Sequence, residues 1–446
     1  MGLATFKGGI HPFEGKELSE NKPVQVLQPK GELVFPLSQH IGASAKSLVA
    51  AGDQVLVGQK IGEAEGFISA CVISSVSGTV KTVEPRLTVG GTEVLSVIVE
   101  NDEKYQAVEG FGVQRDPKTL SKEEIRSIIK EAGIVGLGGA GFPTHVKVSP
   151  KEDSKIDTII VNGAECEPYL TADYRLMMEE PESLIGGLGI ILQLFENAKG
   201  VIAIEDNKPE AIKRITELVK NEPRITVFSL KTKYPQGGER PLIYGVTGRK
   251  INSSMLPADV GCIVDNVDTV ISIYNAVAKS TPLIRRILTV TGDVITNPQN
   301  YNVRTGTSYS ELIEASGGFK TEPEKVISGG PMMGQALFDF NVPVTKTSSS
   351  LLCFEKDEVA EVPASACIRC GRCVTVCPGR VVPQMLMKAA EQSDLERFLK
   401  LDGMECCECG CCSYICPARL PLTQSFKEMR KQAMAARRKA QEGKKA

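Results

Sequence analysis

The stretch Gly136-Leu137-Gly138-Gly139-Ala140-Gly141-Phe142-Pro143-Thr144 decides how the middle of this chain is read. Four glycines in six positions let the backbone approach a flat or phosphorylated ligand with its N–H groups exposed. Just upstream, Ser121-Lys122-Glu123-Glu124 has the spacing of a capping box and opens an amphipathic helix running to about Ala132. The loop therefore follows a helix, unlike the GxGxxG turn of a Rossmann unit, which follows a strand. Beyond it, apolar strand-like runs (158–161, 200–204, 225–230) alternate with helical stretches such as 209–220. That order predicts an α/β domain with a mainly parallel sheet. Asn162-Gly163-Ala164-Glu165-Cys166-Glu167-Pro168 ends the first run, at the strand terminus where sheet ligands bind.

Toward the N-terminus, short β-branched runs between Val34 and Val99 alternate with Gly-containing turns, which predicts a small all-β domain. The stretch 49–62, followed by Ser74-Ser75-Val76-Ser77-Gly78-Thr79-Val80, resembles the biotinyl/lipoyl sandwich fold. No lysine lies between Lys60 and Lys81, so the module lacks the swinging arm of a carrier and reads as packing. Toward the C-terminus, Ile287 to Leu352 returns to strands with one helix near 310–316, as in a β-grasp-like module. The tail 427–446 carries eight Lys/Arg against two Glu and reads as a solvated helix, with an acidic partner or a membrane surface as the sharper alternative.

A length of 446 residues favours several domains. With 42% hydrophobic and 24% charged residues and a net charge of −2, the composition is that of a globular protein and excludes a uniformly basic nucleic-acid binder. There is neither the apolar core of a signal peptide nor a run approaching the ~18 residues of a membrane span. The expectation is a cytosolic chain with no transmembrane segment of its own. Fourteen cysteines in such a chain argue for metal or redox use. Ten of them fall between Cys367 and Cys416, while Cys71, Cys166, Cys262 and Cys353 are scattered and read as small core residues.

Cys367, Cys370, Cys373 and Cys377-Pro378 spell CxxCxxCxxxCP, and Cys406, Cys409, Cys412 and Cys416-Pro417 repeat it 39 residues later. A CxxCxxC loop wraps three thiolates round one [4Fe–4S] cubane while the fourth cysteine points at the other cluster. By this crossover rule one cluster takes Cys367, Cys370, Cys373 and Cys416, and the second takes Cys406, Cys409, Cys412 and Cys377. Cys407 and Cys411 do not reproduce the repeat. A zinc site, usually two separated CxxC pairs, fits this spacing poorly.

GLGGAGFPTHVK (136–147) and NGAECEP (162–168) resemble the flavin- and NADH-binding segments of the respiratory complex I flavoprotein. Tyr234-Pro235-Gln236-Gly237-Gly238-Glu239-Arg240-Pro241-Leu242 and Asp265-Asn266-Val267-Asp268-Thr269 fit the same pattern in the same order. With Phe6-Lys7-Gly8-Gly9-Ile10-His11-Pro12, the sandwich and the twin cysteine motif, all of the chain except its basic tail is similar to the C subunit of the Rnf-type ion-translocating electron transport complex.

The resemblance implies FMN held by Gly136, Gly138, Gly139, Ala140, Gly141 and Lys147, with Asn162, Glu165, Tyr234, Gly237, Glu239 and Asn266 around it. It also implies Phe142 stacked on the adenine of NADH and Glu167 near the nicotinamide ribose, with Glu165 and Glu167 as the carboxylates of the reaction centre. Single-residue alternatives stay open: Phe142 as core packing, Glu165 or Glu167 as helix caps. The implied activity is hydride exchange between NAD(H) and FMN, with single electrons passing through the two clusters. The implied partners are the membrane-spanning and ferredoxin-like subunits, at the cytoplasmic face of a bacterial or archaeal membrane. Two departures imply weaker flavin or nucleotide affinity than in the complex I relative: Ala164 stands where that flavoprotein has aspartate, and Gly238 where it has glutamate.

The expected architecture is multi-domain, α/β and β. Residues 1–115 form an N-terminal segment and biotinyl/lipoyl-like sandwich, 116–284 an FMN/NADH-binding α/β domain, and 285–355 a β-grasp (SLBB-like) module. Residues 356–426 form a helical two-[4Fe–4S] ferredoxin-like domain and 427–446 a basic helical tail. Soluble corrinoid (cobalamin) reductases share the loop and the twin cysteine motif but begin near the loop. The A subunit of the Na⁺-pumping NADH:quinone reductase should lack the twin motif. A docking protein that has lost flavin is a third alternative, motivated by Ala164 and Gly238.

Overall fold

A capped helix delivers the glycine loop. In the computed structural model, which describes residues 4–442, the Ser121 hydroxyl accepts from Glu124 N at 3.2 Å and the Glu124 carboxylate accepts from Ser121 N at 2.8 Å. Two of the helix's orphan donors are thereby satisfied. The helix Lys122–Glu131 turns Ile125 and Ile129 into the core, and the chain runs directly into the loop.

The chain divides into two units. The larger comprises Glu14–Ser229 and Pro257–Lys356. Its centre is a four-stranded sheet in the order Ile225–Leu230, Lys199–Glu205, Thr158–Gly163, Cys262–Asn266. The middle strand Thr158–Gly163 pairs in parallel with both neighbours, and this register sets Asn162 opposite Asn266. Ile159, Val161, Ile202, Ile204 and Ile263 meet the helices Pro181–Leu194 and Val267–Lys279 in one apolar core. A strand buried on both faces needs such a continuous apolar run.

The all-β part of the same unit has one sheet in the order Glu32–Pro36, Glu93–Asn101, Gly78–Leu87, Gln54–Val55, and a second in the order Lys46–Ser47, Lys60–Glu63, Val72–Ile73. Leu33, Phe35, Val55, Ile61, Val72, Val80, Val97 and Val99 fill the space between. The third part is a six-stranded sheet carrying the helix Tyr309–Ala315. Its edge holds a strand the N-terminal pattern did not signal: Gln25–Leu27 runs parallel to Gln299–Arg304, and Leu27 packs on the core of that sheet.

The smaller unit holds the described residues of Met1–Phe13, Leu230–Leu256 and Asp357–Ala446. The compact units thus cut across the sequence divisions. Leu230–Leu256, read with the α/β domain, belongs with the cysteines, because Ile10 and Tyr234 exchange backbone hydrogen bonds and Gly9 N donates to Val376 O at 2.7 Å. The C-terminal helix also differs from the expected solvated tail. It spans Leu422–Glu442 and buries Leu422, Phe426, Met429 and Ala433. That spacing of four, three and four is one helix face. It packs against Leu386, Ala389 and Phe398, so one face of the first half of the helix is core.

Candidate functional site

The chain leaves the central strand at Gly163 and forms a loop, residues 164–170, at the end of the parallel sheet. The loop is organised by a residue that no sequence motif marks. Lys16 is buried, and its ammonium donates to the carbonyls of Glu165 (3.0 Å), Glu167 (3.0 Å) and Leu170 (2.5 Å). An ammonium has three N–H donors, and these carbonyls use all of them. Burial lowers the Lys16 pKa, an effect the Glu165 charge opposes.

Glu165 and Glu167 are tied to backbone amides. The Glu165 carboxylate accepts from Asp173 N at 2.8 Å and Tyr174 N at 3.2 Å, at the positive end of the helix Ala172–Glu179. Glu167 Oε2 accepts from Met332 N at 3.1 Å. For Glu165 this is the capping alternative, and for Glu167 it is an anchor to the neighbouring β module. Asn162 Oδ1 accepts from Ala164 N at 3.2 Å.

The glycine loop is pinched at its neck, where Gly136 N donates to Phe142 O at 2.9 Å, and it leaves Gly138, Gly139 and Ala140 exposed. Leu137 is clamped from behind: its N–H donates to Thr269 Oγ1 at 2.9 Å, and its carbonyl accepts from Arg286 Nη2 at 3.0 Å. Arg286 is buried and forms an ion pair with buried Asp268. Gly138 lies against Asn266, where a Cβ would fall 2.9 Å from that side chain, so only glycine permits the approach. Asn266 caps the helix Val267–Lys279 through Oδ1 and donates from Nδ2 to Asp173 Oδ2 at 2.6 Å.

Asp173 closes a circuit from the glycine loop to the 164–170 loop. Burial, with the Glu165 and Asp268 charges adding to it, pushes its carboxyl up to about 8, against the Asn266 hydrogen bond and Arg286. Lys147 donates to Val264 O at 3.0 Å and Asp265 Oδ1 at 3.1 Å, which leaves one N–H of its ammonium. The other oxygen of buried Asp265 has no hydrogen-bond partner among the described residues, and burial raises this carboxyl against the pull of Lys147. Exposed loop residues, a spare ammonium donor and an orphaned buried acceptor fit a polar phosphorylated ligand such as FMN.

Of the residues the resemblance implied, the structure gathers Gly136, Gly138, Lys147, Asn162, Glu165 and Asn266 around the end of this sheet. Gly139, Ala140, Gly141 and Phe142 complete the loop. Tyr234, Gly237 and Glu239 sit in the smaller unit, where Tyr234 Oη donates to Cys409 O at 2.8 Å and Glu239 begins the helix Glu239–Thr247. Arg286 had a legible signal, as the second of two arginines opening the buried strand Arg285–Thr291. Lys16 and Asp173 had none, since neither spacing nor periodicity distinguishes them from surface charges.

In the smaller unit Cys377, Cys406, Cys409 and Cys412 line one cavity, together with Cys407, Cys411, Pro378, Val381 and Phe426. These four are the second set given by the crossover rule. In the first set, Cys373 feels the charges of both Cys416 and Cys370, while Cys367 and Cys370 are exposed. Burial pushes the thiols of Cys406 and Cys412 up to about 12. Six cysteines round one cavity are a thiol-rich donor set that fits a metal cluster. Among the scattered cysteines, Cys71, Cys262 and Cys353 are buried and Cys166 is half-buried.

Comparison with known proteins supplies the family. Residues 129–275 match the Nuo51 FMN-binding domain, residues 4–104 the RnfC barrel sandwich hybrid domain, and residues 287–336 the SLBB domain. The chain is 42% identical over 438 residues to the C subunit of the Na(+)-translocating ferredoxin:NAD(+) oxidoreductase complex of Acetobacterium woodii, covering 98% of both chains. It belongs to the family of Rnf C subunits. Another member, the C subunit of the proton-translocating complex of Clostridium ljungdahlii, is 44% identical, with 86% of this chain and 84% of that one covered. The longer relative from Pseudomonas aeruginosa is 39% identical, and the chain spans 57% of its length. Membership in the Rnf family sets aside the corrinoid reductase alternative. An NAD+-reducing [NiFe]-hydrogenase structure shares the fold, with TM-score 0.52 and 18% identity over 71% of this chain and 64% of that one. Among the described residues no helix is long and apolar enough to cross a membrane.

Proposed function

We propose that this Rnf protein exchanges a hydride between NAD(H) and FMN and passes single electrons through two [4Fe–4S] clusters, as the cytoplasmic-face NADH/FMN/iron–sulfur subunit of an ion-translocating ferredoxin:NAD oxidoreductase complex. The observation that carries the reading is the circuit Leu137–Arg286–Asp268 and Gly138–Asn266–Asp173, which holds the glycine loop at the end of the parallel sheet. When bound, FMN supplies the exchange between two-electron and one-electron chemistry.

In this proposal the glycine loop offers backbone N–H groups to FMN, and Lys147 offers its remaining N–H to the phosphate. Phe142 stacks on adenine, and Asn162 and Asn266 border the flavin on paired strands. Glu165 and Glu167 act by orientation. A direct hydride transfer needs no protein acid, and their amide bonds suit carboxylates that fix the loop facing the nucleotide. Tyr234, Gly237 and Glu239 are kept as candidate flavin residues on the resemblance alone. Cys367, Cys370, Cys373 and Cys416 hold one cluster, and Cys406, Cys409, Cys412 and Cys377 the other. The proposal keeps the five segments 1–115, 116–284, 285–355, 356–426 and 427–446 as functional divisions, and takes the membrane-spanning and ferredoxin-like subunits as partners.

The test is anaerobic purification with iron and flavin quantitation, followed by NADH titration. About eight irons and one FMN per chain, with NADH bleaching flavin and clusters, support the proposal. Ala164 and Gly238, each standing where the complex I flavoprotein carries a carboxylate, favour a second reading, a flavin-free wiring protein. Full iron, no flavin after reconstitution and no response to NADH would leave that one standing.

A further inference from the structure

The N-terminal Phe6-Lys7-Gly8-Gly9-Ile10 segment marks the family but has no part in the chemistry above. In the smaller unit it lies on the cysteine loops. Gly9 N donates to Val376 O at 2.7 Å. Gly8 has φ +91°, and a Cβ there would fall 2.9 Å from the carbonyl oxygens of both Val376 and Cys377. Ile10 and Tyr234 bond to each other through both backbone groups, at 2.9 and 3.0 Å. Buried Phe6 accepts from Lys233 Nζ through its carbonyl at 3.0 Å, and its ring lies 4.6 Å from the same ammonium. Thr5 Oγ1 donates to Gln236 Oε1 at 3.0 Å. From this base Tyr234, only 2% exposed, extends its hydroxyl to Cys409 O at 2.8 Å.

One element therefore grips the peptide of Cys377 and the peptide of Cys409. These residues are 32 apart in sequence and line the same cavity. We propose that residues 6–10 and Tyr234 form a clasp that positions the cage of Cys377, Cys406, Cys409 and Cys412. A hydrogen bond to a ligand's own peptide fixes where its Sγ points. Tyr234 is on this view a positioning residue of the cluster cage, where the resemblance to complex I makes it a flavin neighbour. The inference rests on the cluster reading above.

The experiment compares the full-length wild-type chain with Tyr234→Phe, Gly8→Ala and the exposed control Lys7→Ala, all purified anaerobically. Iron and FMN per chain, the electron paramagnetic resonance of the reduced clusters, and the rate of bleaching in air are measured. Wild type and K7A should hold about eight irons. G8A should lose up to about half of that iron. Y234F should keep its iron but show an altered signal from one cluster and bleach several-fold faster, and G8A should keep its FMN. Y234F removes a single hydroxyl and decides the matter alone if G8A does not fold. Wild-type iron, signal and bleaching rate in Y234F overturn the inference, as does loss of FMN from Y234F at full iron with an unchanged signal. A wild-type chain that takes up no iron sinks the cluster reading itself.

Discussion

The glycine loop and the cysteine loops reach their ligand-ready shapes by different means. Leu137 is fixed through its N–H by Thr269 and through its carbonyl by Arg286, and Asn266 is tied to Asp173, with no ligand needed to complete any of these bonds. The cysteine loops bring together buried thiols such as Cys406 and Cys412, which have little tendency to ionise until a cation arrives, while Cys367 and Cys370 stand in solvent. A preorganised site loses little order when its ligand leaves. A site whose ligand is also its crosslink loses much, because metal binding free energy there is folding free energy.

The largest expected effect tests that contrast directly. Stripping iron with a chelator under anaerobic conditions should abolish hydrogen-exchange protection in the buried half of the Leu422–Glu442 helix, while the Thr158–Gly163 strand keeps its protection. Equal loss in both would show that the two cradles are not independent in this way. Next in size is Arg286→Met. It leaves Asp268 buried without its principal partner and releases the Leu137 carbonyl, so stability should fall by about 3–5 kcal/mol. Urea unfolding and FMN titration measure this, with iron content expected to stay at the wild-type level.

A smaller effect concerns pH. The Asp173 carboxyl is raised from 3.8 to about 8 in the folded chain. Between those values the unfolded chain has released its proton and the folded chain still holds it, so this group's contribution to stability falls as pH rises through that window. Asp173→Asn should flatten this part of the decline, read as the difference between variant and wild-type urea midpoints at about pH 5 and about pH 8. A variant that tracks the wild type at both pH values would remove Asp173 from the circuit. The smallest effect is Ser121→Ala, which breaks the capping box that launches the glycine loop. It should cost about 1 kcal/mol in thermal or urea unfolding and leave iron unchanged.

Legibility ran opposite to preorganisation. The cysteine framework could be read almost completely, because cluster ligation imposes a spacing on the chain itself. The helix 122–131 and three of the four strands of the parallel sheet were equally readable, since capping and apolar runs are local; the short strand Cys262–Asn266 was not signalled. The circuit behind the glycine loop was not: Lys16 reaches residues 165–170, and Arg286 reaches Leu137, across about 150 residues. The helical tail was legible from its composition, but the burial of Met429 and Ala433 within it was not, because many lysines and arginines surround them.

By itself, then, the sequence determined most of the kinds of element, the family and the spacing of the cysteines, all of which follow from patterns repeated over a few residues. Tertiary structure alone decided which carboxylates are spent on backbone amides and which lysine is buried among carbonyls. It also decided that Tyr234 reaches Cys409 and that Gly8 lies on Cys377. The reason is that a polar side chain's role depends on which donors and acceptors burial brings to it. In this chain those partners come from segments far apart in sequence.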